Sequence, residues 1–293
     1  MKITKFIDND KLSRTTITTI FEYANKFLES GDQSNYCIGK TMCNAFFEPN
    51  YESDMQFEIA MNKLGGKVIQ HDKEKCFNSG IESFEDSIKT IRNYCDIIVL
   101  SYNSYQSIKK ISKNLSIPII NAGCDKTKDM VQAIVDLYTL YKNFDIENER
   151  LNVLCIGNLQ DCLVTSFIKI LGLYPNIHTT HIEQWDESIN EKKYQIVYYC
   201  QKTPSKETID AMNCIEKNLD KISIIMHPNN NNTNEIYDII EKKSCSVFSE
   251  QKNLGIYVRM SLIYTILFNL LDSSYDTLEY NYLNQLQSEI HHW

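Results

Sequence analysis

Apolar and polar positions along this chain switch between two periods. The clearest switch lies between Phe46 and Gly66. Phe46 and Phe47 form an apolar pair, and a polar turn with Pro49 and Asn50 follows. Phe57, Ala60, Met61 and Leu64 then fall at i, i+3, i+4 and i+7, the stripe of an amphipathic helix. Ser53 with Gln56 three residues on has the form of a capping box, and Gly65-Gly66 supplies the stop. The pattern predicts a strand end, a tight turn and a helix capped by Ser53. In α/β proteins such a place commonly holds an anion, because backbone N–H groups point outward there.

The same alternation runs through the rest of the chain. An amphipathic helix around Ile17 to Phe27 is followed by a Gly-Asp turn and the short apolar segment Cys37-Ile38-Gly39. Lys67-Val68-Ile69 reads as a brief strand, residues 70–81 as a polar loop, and Ile88, Ile91 and Tyr94 mark a further helix. Buried-type strands are predicted at Asp96–Leu100, Ile117–Ile120, Asn152–Gly157, Ile196–Tyr199 and Ile224–Met226. A helix continues to about Tyr141, and residues 143–150 form a charged linker. Leu254–Leu271 is apolar, but Arg259, Ser261 and Asn269 interrupt it, so it reads as a buried helix and not as a membrane span. Strand–helix alternation of this kind predicts an α/β fold with parallel sheets.

Composition narrows the function. The 293 residues can bury a substantial core in one large or two medium domains. A net charge of −8, with no basic stripe, argues against a nucleic-acid partner. The start, MKITKFIDNDKLSR, carries no apolar run of the signal-peptide kind. Ten cysteines are scattered without a C-x-x-C pair or a histidine cluster. They read as reduced, mostly buried thiols in a cytoplasmic chain, with no metal, disulfide or cofactor implied. Cys124 and Cys162 could be set with His227 as a nucleophile pair, but scattered buried thiols are the simpler reading.

FFEPNYESDMQFEIAMNKLG resembles the carbamoyl-phosphate motif of the aspartate and ornithine carbamoyltransferases, F-F-E-x-S-T-R-T-R-x-S-F-E followed by L-G. Phe46, Phe47, Glu48, Phe57, Glu58, Leu64 and Gly65 match. Where the family has S-T-R-T-R this chain has Asn50, Tyr51, Glu52, Ser53 and Asp54, so both arginines are acids. GIESFEDSIKTIRNYCDIIVL is similar to a second family stretch at Glu82, Ser83, Asp86, Tyr94, Asp96 and Val99, with Ser101 at the family's arginine. Asn121-Ala122-Gly123 matches N-A-G, and Gln132 and Asp136 align with H-P-T-Q-x-L-x-D, whose histidine is Asp129 here. In the second half Leu163 and Gln201 stand at further arginine positions, while His227-Pro228 matches the start of H-P-L-P-R and favours the aspartate branch. Gly255–Met260 resembles the opening of the family's closing helix.

The resemblance implies two parallel-sheet α/β domains of carbamoyltransferase type joined by two crossing helices. The first would span 1–141 with the closing helix 256–293 packed back on it, and the second 142–255. It also implies a homotrimer with sites between subunits. Family residues are retained at Gln132, His227 and Pro228, with His227 also readable as a packing residue at a strand end. The ligand shell is not retained: Glu52, Asp54, Ser101, Asp129, Leu163 and Gln201 replace five arginines and one histidine. Carbamoyl phosphate and aspartate are both anionic and need charge-assisted donors, preferably guanidinium. The expectation is therefore a family scaffold without carbamoyl transfer, acting by assembly or through a protein partner. The alternative is an enzyme or binding protein of the same fold for a less anionic ligand. Glu48, Glu52, Asp54 and Asp129 could also gather a cation or polyamine, against the plainer reading of a solvated acidic rim countered by Lys126 and Lys128.

Overall fold

The computed structural model describes residues 5–7, 12–31, 35–48, 50–71, 83–124, 129–183, 193–200, 222–228 and 244–271. Its elements, in chain order, are β1 (Lys5–Phe6), α1 (Arg14–Ser30), β2 (Thr41–Phe46), α2 (Tyr51–Lys63), β3 (Lys67–Gln70) and α3 (Phe84–Ile91). There follow β4 (Ile97–Tyr102), α4 (Tyr105–Asn114), β5 (Ile119–Cys124), α5 (Met130–Asn143), β6 (Leu151–Gly157) and α6 (Cys162–Leu171). The chain closes with β7 (Ile177–Ile182), β8 (Ile196–Cys200), β9 (Ile224–Met226) and α7 (Phe248–Leu267).

Two compact units result, one of residues 1–125 with 256–293 and one of residues 126–255. The first holds a five-stranded sheet in the order β1-β5-β4-β2-β3, the second a four-stranded sheet in the order β7-β6-β8-β9. Every pairing in both sheets is parallel. Parallel strands need a crossover, and helices supply it here, so both sheet faces can be covered. That is why Ile97 to Leu100 is a continuous buried run. One face of the first sheet carries Cys43, Ala45, Phe47, Ile98 and Leu100, packed with Ile88 of α3 and Ile108 of α4. In the second unit Leu154, Ile156, Val197, Tyr199 and Ile225 form the corresponding cluster.

Several boundaries differ from the sequence expectation. Cys37-Ile38-Gly39 is a turn, with Gly39 at φ 77°, and the strand begins at Thr41. Tyr94 lies in the turn after α3, not on the helix. The division between units precedes α5, so that helix groups with the second unit, whereas the sequence reading breaks the chain after Tyr141. The other crossing lies inside α7, between Gly255 and Ile256. The apolar Leu254–Leu271 stretch is mostly this helix, with Leu254, Val258, Leu262, Ile263 and Ile266 buried. No helix among the described residues is long and apolar enough to cross a membrane. Loop 70–81, the Asn229–Asn232 run and the C-terminal twenty residues lie almost wholly outside the described set.

Candidate functional sites at the strand ends

In the first sheet the chain leaves β2 for β3 on one side and later returns to β4 on the other. This reversal makes β2/β4 the switch point, where open α/β sheets place a ligand crevice beyond the strand carboxyl ends. Phe46 pairs with Ser101, and the Phe47 N–H donates to the Ser101 carbonyl at 2.8 Å. Ser101 and the turn that leads into α2 are therefore neighbours. Ser101 is buried.

The turn corrects the capping expectation. Asn50, not Ser53, is the N-cap of α2, and its Oδ1 accepts from the Ser53 N–H at 3.2 Å. Asn caps as well as Ser, so the sequence alone offers two starts. The earlier one buries Ser53 and puts Glu52 and Asp54 in the first turn. Gln56 does not reach back to the backbone of Ser53; its Nε2 donates to Glu52 Oε1 at 3.2 Å. Asp54 Oδ1 accepts from Asn44 Nδ2 at 2.8 Å, and the Asp54 carbonyl accepts from the same amide at 3.2 Å. Asp54 thus anchors the first helical turn to the middle of β2. Tyr51 points away, 77% exposed. Beside β4 the rings of Phe84 and Tyr102 stack at 3.8 Å, and Phe47 meets both edge-on.

In the second unit Asp129 is the N-cap of α5, its Oδ1 accepting from the Gln132 N–H at 3.0 Å. The Asp129 N–H donates to Ser166 Oγ of α6 at 3.1 Å. Asp129 is thus a partly buried helix cap, and Lys126 and Lys128 lie outside the described residues. Gln132 Nε2 donates to Asp136 Oδ1 at 2.7 Å. Asp136 is fully buried and also accepts from Gln251 Nε2 at 2.6 Å and from Tyr198 OH at 2.8 Å. Burial is the largest influence on its carboxyl and pushes it up to about 7, against the pull of its three hydrogen bonds.

The second switch point lies between β6 and β8. Gly157 closes β6 there because an added Cβ would run into the Cys200 carbonyl oxygen and Val164. Leu163 follows on α6, buried, its N–H donating to the N-cap Asp161 at 3.0 Å. His227 follows β9 and is wholly buried, stacked on Phe248 at 3.7 Å, with Pro228 half-buried next in sequence. Gln201 lies outside the described residues. Asn50 to Asp54 and Ser101 thus belong to the first unit, and Asp129, Gln132, Leu163, His227 and Pro228 to the second. Among the described residues no group of three His, Cys, Asp or Glu side chains is placed to hold a metal.

Asn44, Tyr198 and Gln251 were not among the candidates read from the sequence. Asn44 had a local signal, an amide inside an otherwise apolar strand. Tyr198 and Gln251 had none, since their role depends on Asp136, distant in the chain.

The fold defines an α/β protein of two parallel-sheet units, each with a switch point in its strand order. Over most of its length the chain is similar to aspartate carbamoyltransferases. Residues 4–142 match the family model described as aspartate/ornithine carbamoyltransferase, carbamoyl-P binding domain. The aspartate carbamoyltransferase catalytic subunit of Picrophilus torridus is 28% identical, covering 91% of this chain and 99% of its own length. The chloroplastic enzyme of Arabidopsis thaliana is 27% identical over 91% of this chain and 78% of its own. Among solved structures, an aspartate transcarbamoylase from Trypanosoma cruzi with aspartate and phosphate superposes at a TM-score of 0.77 and 20% identity, covering 90% of this chain and 96% of that one. The catalytic subunit from M. jannaschii gives 0.74 at 25% identity, covering 92% and 99%.

Proposed function

We propose that this chain is a carbamoyltransferase homologue that has lost carbamoyl transfer and acts by assembling, as a homotrimer or with a protein partner. The observation that carries this reading is the work done by the acids at three positions the family gives to basic residues. Glu52 and Asp54 occupy the first turn of α2, and Asp129 caps α5. A helix N-terminus that would attract phosphate already has carboxylates beside it. A like charge brought to about 4 Å costs roughly 4 kcal/mol at an effective dielectric of 20, so a dianion is repelled where it should be gripped. Transfer to an amine also needs donors for the developing oxyanion, and a carboxylate at Asp129 opposes that charge. The relatives named as catalytic subunits support the assembly half of the reading. Ten cysteines scattered without a C-x-x-C pair suit a reducing, cytoplasmic setting.

A second reading draws on Asn44. Its Oδ1 is buried and accepts no hydrogen bond among the described residues. An unused acceptor beside the α2 turn favours a ligand with hydrogen-bond donors, neutral or cationic, in the same fold.

One comparison tests both readings. Turnover of carbamoyl phosphate and aspartate is measured beside an active homologue, with thermal shifts against phosphate, carbamoyl phosphate and a bisubstrate phosphonate. The first reading requires no turnover and no shift. Turnover within a hundredfold of the homologue refutes it, and a metabolite copurifying with the protein selects the second reading.

A further inference from the structure

Gln251 is a polar side chain held in the core on few bonds. It stands near the start of α7, 2% exposed, and its Nε2 donates to Asp136 Oδ1 at 2.6 Å. Its Oε1 is buried and accepts no hydrogen bond among the described residues. An unsatisfied buried acceptor works against burial, so the bond to Asp136 is what keeps this amide inside. A second contact joins the same two helices at the surface, where Asn143 Nδ2 donates to Glu250 Oε1 at 3.2 Å. Residues 248–255 are the part of α7 that belongs to the second unit. Beneath Gln251 the Asp136 carboxyl is fully buried, with Gln132 of its own helix and Tyr198 of β8 as its other partners. The titratable groups around it are Asp129 on α5, Cys155 on β6 and Tyr198 on β8, with Cys200 acting in turn on Tyr198. None of these is a cation. At the start of α7 the Phe248 ring carries His227, stacked at 3.7 Å, and Lys252 Nζ at 4.1 Å. A carboxylate in such surroundings is better placed in water than in the core, and burial accordingly lifts the Asp136 titration to about 7.

We propose that Asp136 and Gln251 form a pH-sensitive latch: with Asp136 neutral the start of α7 stays docked on α5 and β8, and with Asp136 ionised it lifts and admits water to the carboxylate. Lifting exposes the carboxyl and returns it toward its ordinary value of 3.8. A proton is therefore released as α7 lifts. Opening is favoured as pH rises from about 4 and gains nothing further above about 7. The latch belongs to the second unit alone and holds whichever reading of the function is correct.

The test is native-state hydrogen exchange of the full chain between about pH 5 and about pH 8, corrected for the intrinsic exchange rate at each pH. Amides of residues 249–255 should open more often than those of β6 and β8 at every pH. Their open population should grow by up to about tenfold per pH unit and level off above about pH 7. Asp136→Asn should remove that growth. Gln251→Ala gives a second readout that does not depend on the first variant folding: water then reaches the carboxyl with α7 still docked, so the pH dependence should shrink. An α7 start whose opening is flat with pH in the wild type overturns the latch. So does opening no more frequent than that of β6 and β8, which marks unfolding of the whole unit. Growth that persists in Asp136→Asn assigns the titration to His227 or another group and overturns it as well.

Discussion

Replacing Asp136 with asparagine removes a charge and keeps the shape. The carboxylate is buried among Gln132, Gln251 and Tyr198, at 2.7, 2.6 and 2.8 Å. Cys155 and Tyr198 nearby are themselves pushed upward, chiefly by burial and then by the Asp136 charge. Among the described residues no cation offsets the charge of Asp136, and Asp129 raises its titration further. In the unfolded chain an aspartate titrates near 3.8, and in the fold burial lifts this one to about 7. Between those values the folded state keeps a proton that the unfolded state has released. Stability from this group is thus full below about pH 4, declines as pH rises, and levels off above about pH 7. At ~1.36 kcal/mol per pH unit, the gap sets an upper bound of roughly 4 kcal/mol on the decline. The Asp136→Asn side chain keeps an oxygen for the two glutamines, and its N–H can donate to the Tyr198 oxygen. Urea unfolding of both proteins between about pH 5 and pH 8 isolates the effect, because the remaining carboxylates cancel in the difference. The variant should gain on the wild type as pH rises, by up to a few kcal/mol at the upper end. A difference that stays flat across that range would refute the reasoning.

Other predictions rest on single contacts. Gly157→Ala drives a methyl into the Cys200 carbonyl and Val164, and should destabilise by about 1–3 kcal/mol in the same urea assay. Asp129→Ala removes the cap of α5 and should cost about 1 kcal/mol, while Asp129→Ser should restore most of it. Asp54→Ala takes one of two acceptors from the Asn44 amide and should lose about 1 kcal/mol, with faster exchange in the first turn of α2. Burial pushes the Cys43 and Cys95 thiols up to about 12, so both should resist iodoacetamide in native protein at pH 8 and react once it is unfolded.

How far the sequence could be read depended on how local each signal was. β4 was legible because Ile97 to Leu100 is an unbroken apolar run, as a strand covered on both faces must be. α2 was legible from Phe57, Ala60, Met61 and Leu64, although its start was not, since Asn50 and Ser53 both qualify as caps. α4, α6 and β7 escaped. In α4 only Tyr105, Ile108 and Ile111 carry the period, diluted by lysines and serines. α6 is so apolar that Leu163, Val164, Phe167 and Ile170 leave little contrast between faces. β7 is an edge strand, IHTTHI, with apolar residues only at its ends. At the sites the family frame marked substituted positions along the chain, but not what their side chains bond to. Asp136 joins α5, β8 and α7, and no window of sequence contains all three.

The acids at the starts of α2 and α5 have a consequence for stability. A helix start aimed at a ligand leaves N–H groups unsatisfied until the anion arrives, so stability there is partly deferred to binding. In this chain Asn50 accepts from Ser53, and Glu52 and Asp54 face the positive end of the α2 dipole. Asp54 also binds Asn44 of β2, and Asp129 accepts from Gln132 at the start of α5. Each interaction uses in the resting fold a group that an anion site would hold in reserve. Placing arginine at 52 and 54 would therefore disturb the resting fold. Glu52→Arg with Asp54→Arg should lower the melting temperature, because it breaks the Asn44 contact and sets two cations at a positive helix end. Phosphate should then raise that temperature in the variant while leaving the wild type unmoved. If the variant is as stable as the wild type without phosphate, the acids at the α2 start are not holding the turn, and their presence has to be explained by something they bind.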